Sequence, residues 1–372
     1  MLNTHSFDRG IFFSMLGLTI FGLVMMSSMS IASSFEVTGK NDFYFWRHFF
    51  HIIVSIPLFV LALKFPYEQL RKVSILCYMA GVTLLLLTLI IGNSYGTAAK
   101  SWLDVGIAIQ PVEFMKPALI VFLAALFSSG RYYANSFAYG LIPFAIILGI
   151  PALLIILQPD YGSLLVILVT ACSIFFMAGA SFRHILGGAL FGSLAAVFVV
   201  FQNTYILHRV KVFFNPELDP LNTGFQVKQA LIAIGSGGFF GKGFQNSIQK
   251  FDYLPEVQSD TIFSAIAEEM GFIRITLLIA VYLYIGYRGF TIAKEAPSEF
   301  TKLCAAGITT WIVGQAFINI AVNMALLPNT GITLPLISAG GSSLISTIIG
   351  FGLLLHISQY TSVKKRRHYG GI

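Results

Sequence analysis

The sequence predicts an all-α, polytopic integral membrane protein with about ten transmembrane helices and one large extracytoplasmic loop between the seventh and eighth. Three observations predict it. Of 372 residues, 56% are hydrophobic and 10% charged, whereas soluble domains carry about 25% charged residues. Apolar runs of the ~20 residues that cross a hydrocarbon core recur along the chain. Between two of them one polar stretch, 205–260, holds charge that anchoring at a membrane surface does not explain.

Taken in order, the spanning runs fall near 11–33, 46–64, 73–92, 113–128, 138–157, 161–180, 184–204, 261–286, 303–325 and 337–359. The first is followed by the small-residue stretch SSMSIASS, but it exceeds the ~7–15 residues of a signal-peptide core and reads as a retained helix. An N-terminus in the cytoplasm puts Arg9, Lys64, Arg71, Lys72, Arg131, Arg183, Arg288, Lys294, Lys302 and the run Lys364, Lys365, Arg366, Arg367 inside. The short outer loops then hold only Lys40, Arg47 and Lys100, and this bias of thirteen against three sets the orientation. Both termini are therefore expected in the cytoplasm, in a bacterial cytoplasmic membrane. The stretch 205–260 faces outward; its own basic residues do not oppose this, because long loops cross largely regardless of charge.

No linker divides the chain, which reads as one domain over 1–372, and no inverted repeat of the transporter kind is visible. The net charge of +7 is scattered among loops and the C-terminal run. That pattern is topological, and it excludes a nucleic-acid stripe. Cys77, Cys172 and Cys304 each lie in a separate apolar run without a CxxC or His neighbour, and are expected as small core residues rather than a metal site or disulfides.

The candidate chemistry begins at Asp260, which opens the eighth predicted helix; at 3.6 residues per turn, Ser264, Glu268 and Gly271 follow it along one face. Glu268 would lie ~12 Å along the helix, where an ionised carboxylate facing lipid costs ~2.5 kcal/mol or more, so it must face protein or a wet cavity. The competing structural readings are an N-cap for Asp260 and a buried polar network for Glu268 and Glu269. In IQPVEFMK, Glu113 and Lys116 share a face at the start of the fourth helix. A lysine one turn inside an outer helix end runs against the anchoring pattern and suits a phosphate or carboxylate partner. Asp160, in the short turn of QPDYG, is a natural N-cap. The cluster GSGGFFGKG fails as a phosphate loop, since Gly follows Lys242 where Ser or Thr is required and no strand precedes it. It reads as a flexible turn after an amphipathic segment, 225–234, at the membrane surface. TGITLPLISAGGSS reads as a bent entry into the tenth helix.

Together these pieces resemble the SEDS family (shape, elongation, division and sporulation), the membrane proteins called FtsW and RodA. The resemblance spans nearly the whole chain and rests on five motifs in order: IQPVEFMK, QPDYG, GFQVKQALIAIGSGGFFGKGF, YLPEVQSDTIFSAIAEEMGF and LPLISAGGSS. Val112, Ser259 and Thr261 depart from the family's usual residues without touching an ionisable group. The Ser-rich end of the first helix and NDFYFWRH look more like FtsW, while QPDYG is closer to RodA.

The resemblance implies a peptidoglycan glycosyltransferase that polymerises lipid II outside the cytoplasmic membrane, for division or elongation. Its implied partners are a class B penicillin-binding transpeptidase and other division or elongation proteins. The family's key acid falls on Asp260, and its Glu and Lys on Glu113 and Lys116. In such a reaction Asp260 would act as base on the acceptor hydroxyl or as the group that orients it, while Lys116, with Arg209 or Lys242 as loop partners, would stabilise the leaving diphosphate and Glu113 would hold Lys116. A divalent cation, Mg²⁺ or Mn²⁺, suits carboxylates beside diphosphate, with Asp260 a candidate ligand. Two readings from other classes stand beside this one. A lipid-linked precursor flippase would use the same carboxylates as a pathway, and a division scaffold would tolerate replacement of Asp260.

Overall fold

The computed structural model describes residues 6–94, 99–104, 106–188, 190, 192, 201, 204–251 and 253–361. The predicted C-terminal basic run, 364–367, lies outside them, as does most of the seventh predicted span. Twelve helices organise the described residues: α1 Arg9–Met29, α2 Ile31–Thr38, α3 Phe43–Lys64, α4 Tyr67–Ile91, α5 Pro111–Phe127, α6 Ile142–Leu157, α7 Tyr161–Met177, α8 Thr204–Phe214, α9 Thr223–Ser236, α10 Ile262–Glu295, α11 Glu299–Asn323 and α12 Gly341–Ser358. Residues 182–188 are helical as well.

Seven of these helical segments are long and apolar enough to cross a membrane: α1, α3, α4, Phe137–Leu157 (which contains α6), α10, α11 and α12. The 17-residue α5 and α7 occupy two further predicted spans. Local chemistry sets several boundaries. The Asp8 carboxylate accepts from the Ile11 amide at the start of α1 (2.9 Å), Pro111 supplies the first residue of α5, where a missing N–H costs nothing, and Ser298 with Thr301 forms a reciprocal cap on α11. The first predicted span is cut short: α1 stops at Met29 and a separate short helix follows.

Helices α11 and α12 form the centre of the bundle and are buried along most of their length. Around them, α3 and α4 turn Ile56, Leu61, Leu76 and Ile90 outward as an apolar sheath. Of the cysteines, only Cys304 is buried; Cys77 is half-buried and Cys172 on α7 is exposed, which corrects the expectation of a core residue.

The stretch 205–260 is not a featureless polar loop. It folds into α8, a 3-10 turn at Pro216–Leu218 and α9, and then returns to the bundle. The glycine cluster after α9 is a tight turn pressed on α10: a Cβ on Gly241 would lie 2.1 Å from the Glu269 carbonyl oxygen. Opposite it α10 breaks at Gly271, whose φ of 74° and ψ of 176° only glycine adopts readily.

Candidate active site

The N-terminal ends of α3, α5, α7, α10 and α12 converge on one polar cavity of about 640 Å³. Its lining includes Arg47, His48 and His51 from α3, Gln110 before α5, Asp160 before α7, Asp260 before α10, and Gly340, Gly341 and Ser343 from α12. Arg209 of α8 and Gln226 of α9 close it from the region of the predicted loop, and Asn329 from the connection between α11 and α12. The helix N-termini place a set of partial positive charges around a site whose own carboxylates are Asp160, Glu256 and Asp260.

Asp260 is not the cap of α10. Thr261 occupies that position, and no side chain bonds the leading amides. Instead the Asp260 backbone is clamped from α11: Asn319 and Asn323 each donate a side-chain N–H to its carbonyl oxygen, both at 2.9 Å. On the other side Ser338 donates to the Ser259 carbonyl (2.6 Å) and the Ala339 amide to that of Gln258 (2.8 Å). The carboxylate is left to the cavity. Withdrawal from water, and then the negative charge of Glu256, push its pKa up to about 7, against the lowering effect of Arg209.

Asp160 caps α7 through the Ser163 amide (3.1 Å) and accepts from Gln110 Nε2 (3.2 Å), so it is both a cap and a cavity wall. Burial raises its pKa too. Arg209 donates to the Asn329 carbonyl (2.8 Å), which fixes it at the cavity edge.

Four other expected site residues lie elsewhere, together with Ser264. Lys116 is fully enclosed beneath the cavity floor, paired with Glu113 (2.6 Å) and bonded to Gln315 Oε1 (2.9 Å). Gln315 in turn reaches Thr333 and Ser343, which do line the cavity. The pair therefore supports the floor rather than touching a ligand. Lys242 and Glu268 bond each other at 2.5 Å, and Glu268 also accepts from the Ser247 hydroxyl (2.5 Å) and the Gln249 amide (3.2 Å). Ser264 donates to Asn323 Oδ1 (2.8 Å) in the core. The helical-face argument fails here because α10 starts only after Asp260, so the carboxylate and the face below it point to different places.

Sequence reasoning missed Arg47, His48, His51, Glu256, Asn319 and Asn323. The signal for the two asparagines was present, since amides inside an apolar helix need a partner. Among the described residues no three His, Cys, Asp or Glu side chains form a metal-binding group.

Fold and site together define a multi-pass helical membrane protein with a polar, carboxylate-bearing cavity at one end of its bundle. The family model FtsW/RodA/SpoVE, described as cell cycle protein, matches residues 9–363, and the chain belongs to that family. It is 32% identical to the probable peptidoglycan glycosyltransferase FtsW of Escherichia coli, over 98% of this chain and 88% of the relative. It is 38% identical to stage V sporulation protein E of Bacillus subtilis, over 94% and 95% respectively. Among solved structures it is similar to a chain of a peptidoglycan synthase complex that coordinates polymerization and crosslinking, with TM-score 0.80, 28% identity and coverage of 95% of this chain and 98% of that one. The rod shape determining protein RodA of Thermus thermophilus gives TM-score 0.69 at 28% identity and the same coverage.

Proposed function

We propose that this chain is an inverting peptidoglycan glycosyltransferase that polymerises lipid II at the outer face of a bacterial cytoplasmic membrane. The observation that carries the reading is Asp260: a carboxylate held by backbone clamps from two sides, aimed into a polar cavity, with a pKa of about 7. A base poised near the working pH combines a useful ionised fraction with enough basicity to take a hydroxyl proton.

In this reaction Asp260 accepts the proton of the acceptor sugar hydroxyl as its oxygen bonds to the anomeric carbon of the donor. The bond from that carbon to the diphosphate oxygen breaks, and its electron pair leaves with the polyprenyl diphosphate. Arg209 lies on the same cavity and supplies positive charge near the reacting groups. The Glu113–Lys116 pair supports this wall from below. The likeness to a synthase complex supports a transpeptidase of the class B penicillin-binding type as partner.

The test is glycan-strand synthesis from labelled lipid II by the purified chain with its partner transpeptidase, comparing the native protein with Asp260→Asn. Polymer from the first and none from an equally folded variant supports the reading. Equal polymer from both removes Asp260 from the chemistry.

A further inference from the structure

Of the cations that the sequence suggests for the leaving group, Arg209 lines the cavity while Lys116 and Lys242 do not reach it, and the structure offers further donors. Helices α3 and α12 run parallel and in contact. His51 lies on Gly341, Phe59 and Ala62 lie on Gly352, and the Leu63 carbonyl accepts from His356 Nδ1 at 2.7 Å. In this register His48, one turn before His51 on the same face of α3, sits beyond the first turn of α12.

That first turn is open. Gly340 is the N-cap and has no side chain with which to bond the leading amides, and Gly340, Gly341 and Ser343 all line the cavity. A Cβ on Gly341 would meet His51 Nε2 at 2.5 Å, so glycine is what lets the imidazole lie directly against the helix start. The end of an 18-residue helix with free amides favours anions.

A second, independent observation points to a ligand there. His48 is 2% exposed and lines the same cavity, yet its buried Nε2 has no hydrogen-bond partner. A buried ring nitrogen left without a partner carries a desolvation cost that a bound group would relieve. Exposed Arg47, the residue before it, lines the cavity as well.

The geometry points to a diphosphate subsite in which the leading amides of α12, the His48 and His51 imidazoles and Arg47 take the diphosphate of a polyprenyl-linked sugar. The identity of that ligand rests on the glycosyl-transfer reading. Several donors around a small-residue helix start suit a bulky group with many acceptor oxygens better than a single carboxylate. As the anomeric carbon–oxygen bond breaks, charge develops on the diphosphate, where these donors already stand.

The test is calorimetric titration of the full chain in detergent micelles with three probes: farnesyl diphosphate, inorganic pyrophosphate and farnesyl monophosphate. The native chain should bind farnesyl diphosphate more tightly than the monophosphate, and inorganic pyrophosphate should compete, which marks the headgroup rather than the tail as the recognised part. His48→Phe and His51→Phe should each weaken farnesyl diphosphate about tenfold or more, the loss of one charge-assisted hydrogen bond. His48→Gln, which keeps a donor, should recover part of that loss. Unchanged affinity in both Phe variants, or binding that follows the tail alone, overturns the subsite even where the native chain makes polymer. Variant-sensitive binding in a chain that makes no polymer would instead keep the subsite and remove the glycosyl-transfer reading.

Discussion

At the scale of single residues, the behaviour of Asp260 follows from what surrounds it. Its pKa of about 7 lies above the ordinary carboxylate range, so the group is neutral below that pH and an available base above it. Strand synthesis should therefore fall on the acid side with a limb centred near pH 7, measured as initial rate against pH. Glu256 raises that value, so Glu256→Gln should move the limb to lower pH; an unmoved limb would assign it to another group. Asn319 and Asn323 hold the backbone and not the carboxylate. Replacing both with Leu strands the Asp260 carbonyl and should cut the turnover rate by about a hundredfold through misplacement, while the position of the acid limb stays near that of the native chain. Asp260 itself was legible in the sequence from its motif. The asparagines and histidines were not, because one polar residue in an apolar run looks the same whether it holds two helices together or positions a catalytic loop.

At the scale of elements, the second half of the 205–260 stretch is secured by two ion pairs to adjacent residues of α10. Lys242 meets Glu268, and Lys250 meets Glu269 at 3.0 Å with both side chains fully enclosed. Ser28 of α1 joins the second pair, donating to Glu269 at 2.7 Å. Lys250→Met should cost about 3–5 kcal/mol, because it leaves a buried carboxylate unpaired, whereas Lys250→Met with Glu269→Gln should recover most of the loss. Thermal unfolding of the three purified proteins measures both. A double variant as unstable as the single one would show that the pair's charge is not what matters. Gly271 is the second fixed point. Any Cβ there would sit 2.2 Å from the Gly241 amide nitrogen, at a φ of 74°, so Gly271→Ala should lower the unfolding temperature by several degrees, the effect of ~1–3 kcal/mol in backbone strain before the clash is counted. The sequence revealed the small residues of this turn but not their contact, because the partners lie about thirty positions apart along the chain. The face drawn from Asp260 through Ser264 to Glu268 failed for the same reason: what occupies a helix face is decided by tertiary packing, which periodicity does not encode.

At the scale of the whole molecule, the alternation of helices was the most legible feature, since each crossing needs its own apolar run. The ends of those helices can be assigned to sides. The starts of α3, α5, α7, α10 and α12 lie at the cavity. The first helix begins at the opposite side: the Asp8 amide donates to Ser358 at the end of α12 (2.9 Å), and Arg288, far along α10, pairs with the Asp8 carboxylate. The first and last helices thus have their outer chain ends on one side, and a chain that leaves from the side where it entered has made an even number of traverses. Among the described residues nine helices, α1, α3–α7 and α10–α12, fall on predicted spans. Met177 lies at the side away from the cavity and Arg209 lies on it, so the described residues on either flank of the predicted span 184–204 stand on opposite sides. Parity can be checked without any further structure. A cysteine introduced at Ser181 should react with a membrane-impermeant thiol reagent only after the membrane is opened, and one introduced at Asn222 should react before; reaction of both from the same side would break the count.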